Sequence, residues 1–104
     1  MVSIARVTHK IYEQVPHALH SGWVSRSEAF FTSVGKAAGY ALKELQQNGL
    51  APRDSDSHPF SDPMRIKTEI VRQARQWGSA DVFGEVVATG TVNDLYCIEI
   101  LEVN

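Results

Sequence analysis

Apolar and polar positions alternate over residues 3–13, SIARVTHKIYE. Ala5, Val7, His9 and Ile11 form one set; Arg6, Thr8, Lys10 and Tyr12 form the other. A period of two with β-branched residues predicts a half-buried strand. Val15-Pro16 ends it, because proline removes a donor and restrains the residue before it. Residues 14–24 read as a loop with a turn at Ser21-Gly22. The period then becomes helical. Ser25-Arg26-Ser27-Glu28 has the spacing of a capping box. Phe30, Val34, Ala37 or Ala38, Ala41 and Leu45 follow on one stripe, widened by Phe31, Ala38 and Leu42. Asn48-Gly49 supplies the stop, with Leu50 as its apolar contact. Gly35, Ala37, Ala38, Gly39 and Ala41 let a sheet approach this helix closely.

Residues 51–61, APRDSDSHPFS, read as an exposed mobile loop. A second helix is predicted from Asp62-Pro63, with Ser61 or Asp62 as N-cap and proline in the first turn. Its apolar face is Ile66, Ile70, Ala74 and Trp77, widened by Val71, and Gly78 stops it. Residues 82–92 and 95–103 flank Asn93-Asp94, residues that tolerate the left-handed backbone of a two-residue hairpin turn. That turn sets Val92 opposite Leu95 and Ala88 opposite Glu99. Both faces of such a hairpin are substantially apolar, whereas a sheet covered on one side alternates more cleanly. Either the helices straddle the sheet or one face meets a partner. The elements run β-α-α-β-β. The expected fold is α+β: a three-stranded, mostly antiparallel sheet carrying two helices, in a single domain over residues 1–104.

Composition narrows the chemistry. The 104 residues, 11.5 kDa, suffice for one core. Cys97 is the sole cysteine, which excludes an internal disulfide and a multi-cysteine zinc site in a monomer. Neither a signal peptide nor an apolar stretch of membrane-spanning length is read, so a cytoplasmic protein is expected. His17 and His20 lie three apart, but no HExxH pattern or third ligand accompanies them, and solvated histidines are the simpler reading. Asp54-Ser55-Asp56 lacks the glycine and glutamate of a calcium loop. No G-x-S-x-G, phosphate loop or dinucleotide fingerprint occurs. Gly84 and Gly90 read as bulges or points of close backbone approach. Cys97 reads as a small core residue. Trp77 reads as core. Trp23 is either a staple at the start of the first helix or an exposed anchor for a partner. No cofactor, metal or catalytic activity is expected.

Charge carries more. Residues 63–77 hold Arg65, Lys67, Arg72 and Arg75 against Glu69. Residues 78–104 hold Asp81, Glu85, Asp94, Glu99 and Glu102 with no lysine or arginine, within a formal net charge of −2. Arg65, Arg72 and Arg75 fall on the face of the second helix opposite Ile66 and Ile70, as a solvated face or a docking stripe. The acids blunt a sheet edge or steer a basic surface toward it. The leading expectation is a non-catalytic module that binds a protein with a basic surface, through Glu85, Asp94, Glu99, Glu102, the charged helix faces and Trp23. Glu85→Lys with Glu99→Lys is then expected to abolish binding without unfolding the domain. In size and in helices on a short antiparallel sheet the chain is similar to phage or mobile-element inhibitors of host machinery, including anti-CRISPR proteins. That similarity covers layout and no motif. Two alternatives stand beside it: a small dimeric ligand-binding protein or enzyme with a pocket between subunits, using His9, His17, His20 and Cys97, and a nucleic-acid binder using the basic second helix. Some 13 residues between the helices are too many for a helix-turn-helix.

Overall fold

The computed structural model describes residues 2–13, 22–54 and 65–103. The elements are β1 (Val2–Glu13), β2 (Gly22–Phe31), α1 (Val34–Gln47), β3 (Ala51–Arg53), α2 (Ile66–Trp77), β4 (Ser79–Val86) and β5 (Thr91–Val103). The class is α+β, with two helices on an antiparallel sheet. The sheet has five strands rather than three, in the order β2-β1-β5-β4-β3. β1 forms as the alternation predicts.

The largest departure is at residues 22–31. They form an edge strand antiparallel to β1, with Ala5 opposite Phe31 and Tyr12 opposite Trp23. Ser25 and Glu28 therefore do not cap a helix. The N-cap is Ser33, whose hydroxyl accepts from the Lys36 amide. Strand pairing along ten residues satisfies backbone groups that a longer helix would have carried itself. Phe30 leaves the helical stripe and is 58% exposed, while Phe31 packs on the Tyr40 ring. The remaining stripe holds: Val34, Ala37, Ala38, Ala41 and Leu45 are all buried. The alanines, rather than Gly35 and Gly39, admit the sheet; both glycines are half-buried. Helix α1 ends as expected, with Gly49 at positive φ and the Leu50 amide donating to the Leu45 carbonyl.

Residues 51–53, expected in a loop, form β3 against β4, with Pro52 opposite Gly84. The predicted start of the second helix at Asp62-Pro63 and the rest of the 51–61 loop beyond Asp54 fall outside the described residues, as do His17 and His20. Helix α2 buries Ile70 and Ala74, and Gly78 at φ 82° stops it. Trp77 is 74% exposed rather than core, because it lies on the last turn.

The second hairpin turns at residues 87–90, not at Asn93-Asp94. The Gly90 amide donates to the Val86 carbonyl across the turn, and Gly90 has φ 70°. Asn93 and Asp94 are inside β5, so the register differs from expectation: Phe83 faces Leu95, Ala80 faces Ile98 and Glu85 faces Val92. The earlier turn lets β5 run for 13 residues and pair with both β1 and β4. Gly84 marks a register shift and a close approach, as expected of it. A Cβ there would lie 2.6 Å from Leu45 Cδ2.

Both helices lie on one face, so they do not straddle the sheet. One cluster joins Ala37, Ala41, Leu45, Ile70 and Ala74 to Ala5, Val7, Val82, Tyr96 and Ile98 of the sheet. Strand alternation sends Ile4, Arg6, Thr8, Lys10, Tyr12, Phe83, Leu95, Cys97, Glu99 and Leu101 to the opposite face. Among the described residues no helix packs on that face. No described helix is long and apolar enough to cross a membrane.

Candidate functional site

The sheet face on which no described helix packs, hereafter the helix-free face, carries a run of aromatic rings contributed by three strands. Tyr12 of β1 meets Trp23 of β2 edge-on, with ring centroids 5.5 Å apart. Trp23 in turn lies 5.8 Å from Phe83 of β4. Strands β1 and β5 lie between β2 and β4, so the indole spans them. Leu95, opposite Phe83 on this face, is only 6% exposed. Tyr12 and Trp23 keep 42% and 36% of their surface exposed. Such offset and edge-to-face contacts are worth about 0.5–1.5 kcal/mol beyond burial. Trp23 is thus on a strand, packed against other rings and still open to a partner, rather than stapling a helix. Phe30 adds a further exposed ring on the same face, opposite Arg6.

Ion pairs occur on both faces of the sheet. Arg6 donates to Glu99 at 3.0 Å across β1 and β5. The Arg53 guanidinium contacts the Glu85 carboxylate. On the helix side, His9 stacks on Tyr96 at 4.4 Å and meets Asp94 Oδ2 at 2.8 Å through Nε2. Three of the acids read as an unopposed negative patch, Glu85, Asp94 and Glu99, therefore face partners from β1 and β3. The sequence hid this because those partners are 32 to 93 residues away. Glu102 is exposed near the end of β5. The structure brings Glu85 and Glu99 to the face that holds Trp23, and sets Asp94 on the other.

Cys97 lies half-buried on the same face, and its thiol bonds the Asp81 carboxylate. Burial first, and then Asp81, push the thiol up to about 12. A thiol so held is a poor nucleophile at neutral pH. Tyr96 is pushed up to about 12, mainly by burial and then by Glu44 and Asp94. Burial and the Glu44 carboxylate, which accepts from the Tyr40 hydroxyl at 2.9 Å, also raise Tyr40. No described group of three or more His, Cys, Asp or Glu side chains is placed to hold a metal ion.

Arg65, Arg72 and Arg75 are exposed on the outer side of α2, far from the aromatic run. Arg72 pairs with Glu69 at 2.6 Å. A groove of about 640 Å³ follows this helix, lined by Lys67, Thr68, Val71, Arg72, Arg75 and Gln76. A smaller cavity of about 310 Å³ opens between the start of α1, Arg75 and Ile100. Neither a family model, nor a curated protein, nor a solved structure matches the chain.

Proposed function

We propose that the chain is a non-catalytic protein-binding module that docks through the helix-free face of its sheet. The observation that carries this reading is the contiguous run Tyr12–Trp23–Phe83, partly exposed on a face that also holds the ion pairs Arg6–Glu99 and Arg53–Glu85. Protein interfaces concentrate their energy in such rings, because they bury a large apolar area at low conformational cost, with a polar rim that excludes water. The apolar content of both faces of β5 supports it too, since only one face is used by the helices. Nucleic acid fits this face less well: of its cations Arg6, Lys10 and Arg53, two are engaged by Glu99 and Glu85, and Asp81 adds a further acid beside Cys97, which leaves little field to hold phosphates. In its narrower form the proposal makes the chain an inhibitor of host machinery from a phage or mobile element, and size and layout are what support that form.

Affinity capture from the source cell or its host, after nuclease treatment, tests the reading. A stoichiometric protein is expected on the wild-type chain and lost from Trp23→Ala and Phe30→Asp, with circular dichroism checking that each variant is folded. No nuclease-resistant partner, or equal capture by both variants, overturns it.

A further inference from the structure

We infer that the outer surface of the helix layer is a second binding surface, which takes the phosphate backbone of a nucleic-acid duplex. The fold sorts charge between its two layers. Helix α1 sends Lys36 and Lys43 outward, and both are exposed. Helix α2 and its N-cap add Arg65, Lys67, Arg72 and Arg75, all exposed. The two carboxylates of these helices, Glu44 and Glu69, already accept from Tyr40 and Arg72 on their own helices. Among the described residues, the two helices and the N-cap of α2 thus hold six cations, Arg72 among them paired with Glu69, against two acids, while Asp81, Glu85, Asp94, Glu99 and Glu102 belong to the sheet. The formal net charge of −2 conceals this division. A field of one sign on one surface steers a polyanion to it, whatever the total charge.

The two helices present one continuous surface. A Cβ built on Gly39 of α1 would lie 3.7 Å from Lys67 Nζ of α2, so Lys67 bridges the helices. From there the groove along α2 continues past Thr68 and Val71 to Arg72 and Arg75. Lys67 and Arg75 are eight residues apart, about 12 Å along the helix axis at 1.5 Å per residue.

The lining selects the occupant. A protein interface centres on aromatic anchors, and the described lining offers none: its apolar surface is Val71 and the aliphatic stems of Lys67, Arg72, Arg75 and Gln76, tipped by cations and an amide beside the Thr68 hydroxyl. Phosphate contacts need just those groups: Lys, Arg, Thr and Gln donors that fix position without reading sequence. A single strand calls for rings on which bases stack. Among the described residues of this layer the Tyr40 hydroxyl is engaged by Glu44, and Trp77, exposed at the end of α2, is not among the residues that line the groove. The duplex backbone is the anion that the surface fits.

The test uses the whole chain, a fluorescent DNA duplex of random sequence, and anisotropy across a salt series. Binding is expected with a dissociation constant of roughly 10⁻⁶–10⁻⁴ M near physiological salt, tighter at lower salt. Lys67→Glu with Arg75→Glu is expected to weaken it at least tenfold and to reduce the magnitude of the salt slope by about 2, one unit per lost contact. The neutral pair Lys67→Gln with Arg75→Gln should act in the same direction, and circular dichroism checks that each variant is folded. Trp23→Ala should bind the duplex as the wild type does, which separates this surface from the aromatic face. No binding at about 50 mM salt, or binding that ignores Lys67 and Arg75 in both pairs, overturns the inference. Tighter binding of single-stranded DNA, or equal competition by polyglutamate of matched charge, also overturns it.

Discussion

Cys97 shows how neighbours decide what a side chain can do. The sequence places it mid-strand but does not reveal Asp81 beside it, since that contact depends on the β4–β5 register. The folded thiol is pushed up to about 12 from 9.0. A group held protonated in the native state stabilises fully below its unfolded pKa, and that contribution is lost as pH rises toward the folded one. Tyr96 acts in the same sense, from 10.0 to about 12. Urea midpoints are therefore expected to fall between about pH 9 and pH 12, with a shallower fall in Cys97→Ser. Equal slopes for the two chains would refute the assignment to Cys97. Slow reaction of Cys97 with a disulfide reagent near pH 8, made fast by denaturant, is the companion expectation. Gly84 makes the opposite point, because its role was legible as close backbone approach. Gly84→Ala drives a methyl into Leu45, itself 1% exposed, and a loss of about 1–3 kcal/mol is expected in denaturant unfolding. Glu85 and Glu99 revise the charge-reversal experiment. Glu85→Lys with Glu99→Lys sets each new lysine beside Arg53 or Arg6, so a lower melting temperature is now expected along with any loss of binding.

Elements with strong periods were readable, and short or ambiguous ones were not. The alternation in β1 and the stripe Val34–Leu45 survive folding because the core lies beneath them. Residues 25–31 carried two valid signals, a capping-box spacing and a run with Phe30 and Phe31. Pairing with β1, a long-range event, decided between them. Ala51–Arg53 is three residues long and cannot display a period. The second hairpin held two turn signals, Asn93-Asp94 and the glycine at 90. Gly90 prevails because it takes the positive φ while β5 stays continuous against β1. The candidate site was legible only as Trp23, one exposed anchor; its ring partners come from other strands. β2 also carries a bulge: Ser27 faces His9 and Ser25 faces Lys10, which leaves Arg26 as the extra residue. Bulges and charges interrupt edges that would otherwise pair with other chains. Deletion of Arg26 straightens the edge, and concentration-dependent association is expected in sedimentation velocity. A deletion variant as monomeric as the parent would show that the bulge has no such role.

At the scale of the molecule, one layer of helices and one of sheet divide apolar area and charge unequally. The helix-side face of the sheet is consumed by the core, while the other face keeps Tyr12, Trp23 and Phe30 36% to 58% exposed. Leu45→Ala, at the centre of the core, is expected to cost about 2–5 kcal/mol; Trp23→Ala, on the open face, should cost far less, and calorimetry compares them. The central strand of the sheet, β5, pairs with β1, so the first and last of the described strands are neighbours, with Val2 opposite Val103. This arrangement fixes the response to mechanical load. Tension applied through those two residues acts across the ladder at its end, not along it. The hydrogen bonds are then loaded one after another, each worth only about 0.5–1.5 kcal/mol net, and the sheet unzips instead of shearing. A single-molecule pull at residues 2 and 103 should open the domain at low force, whereas a pull at residues 2 and 13, along β1 itself, should not.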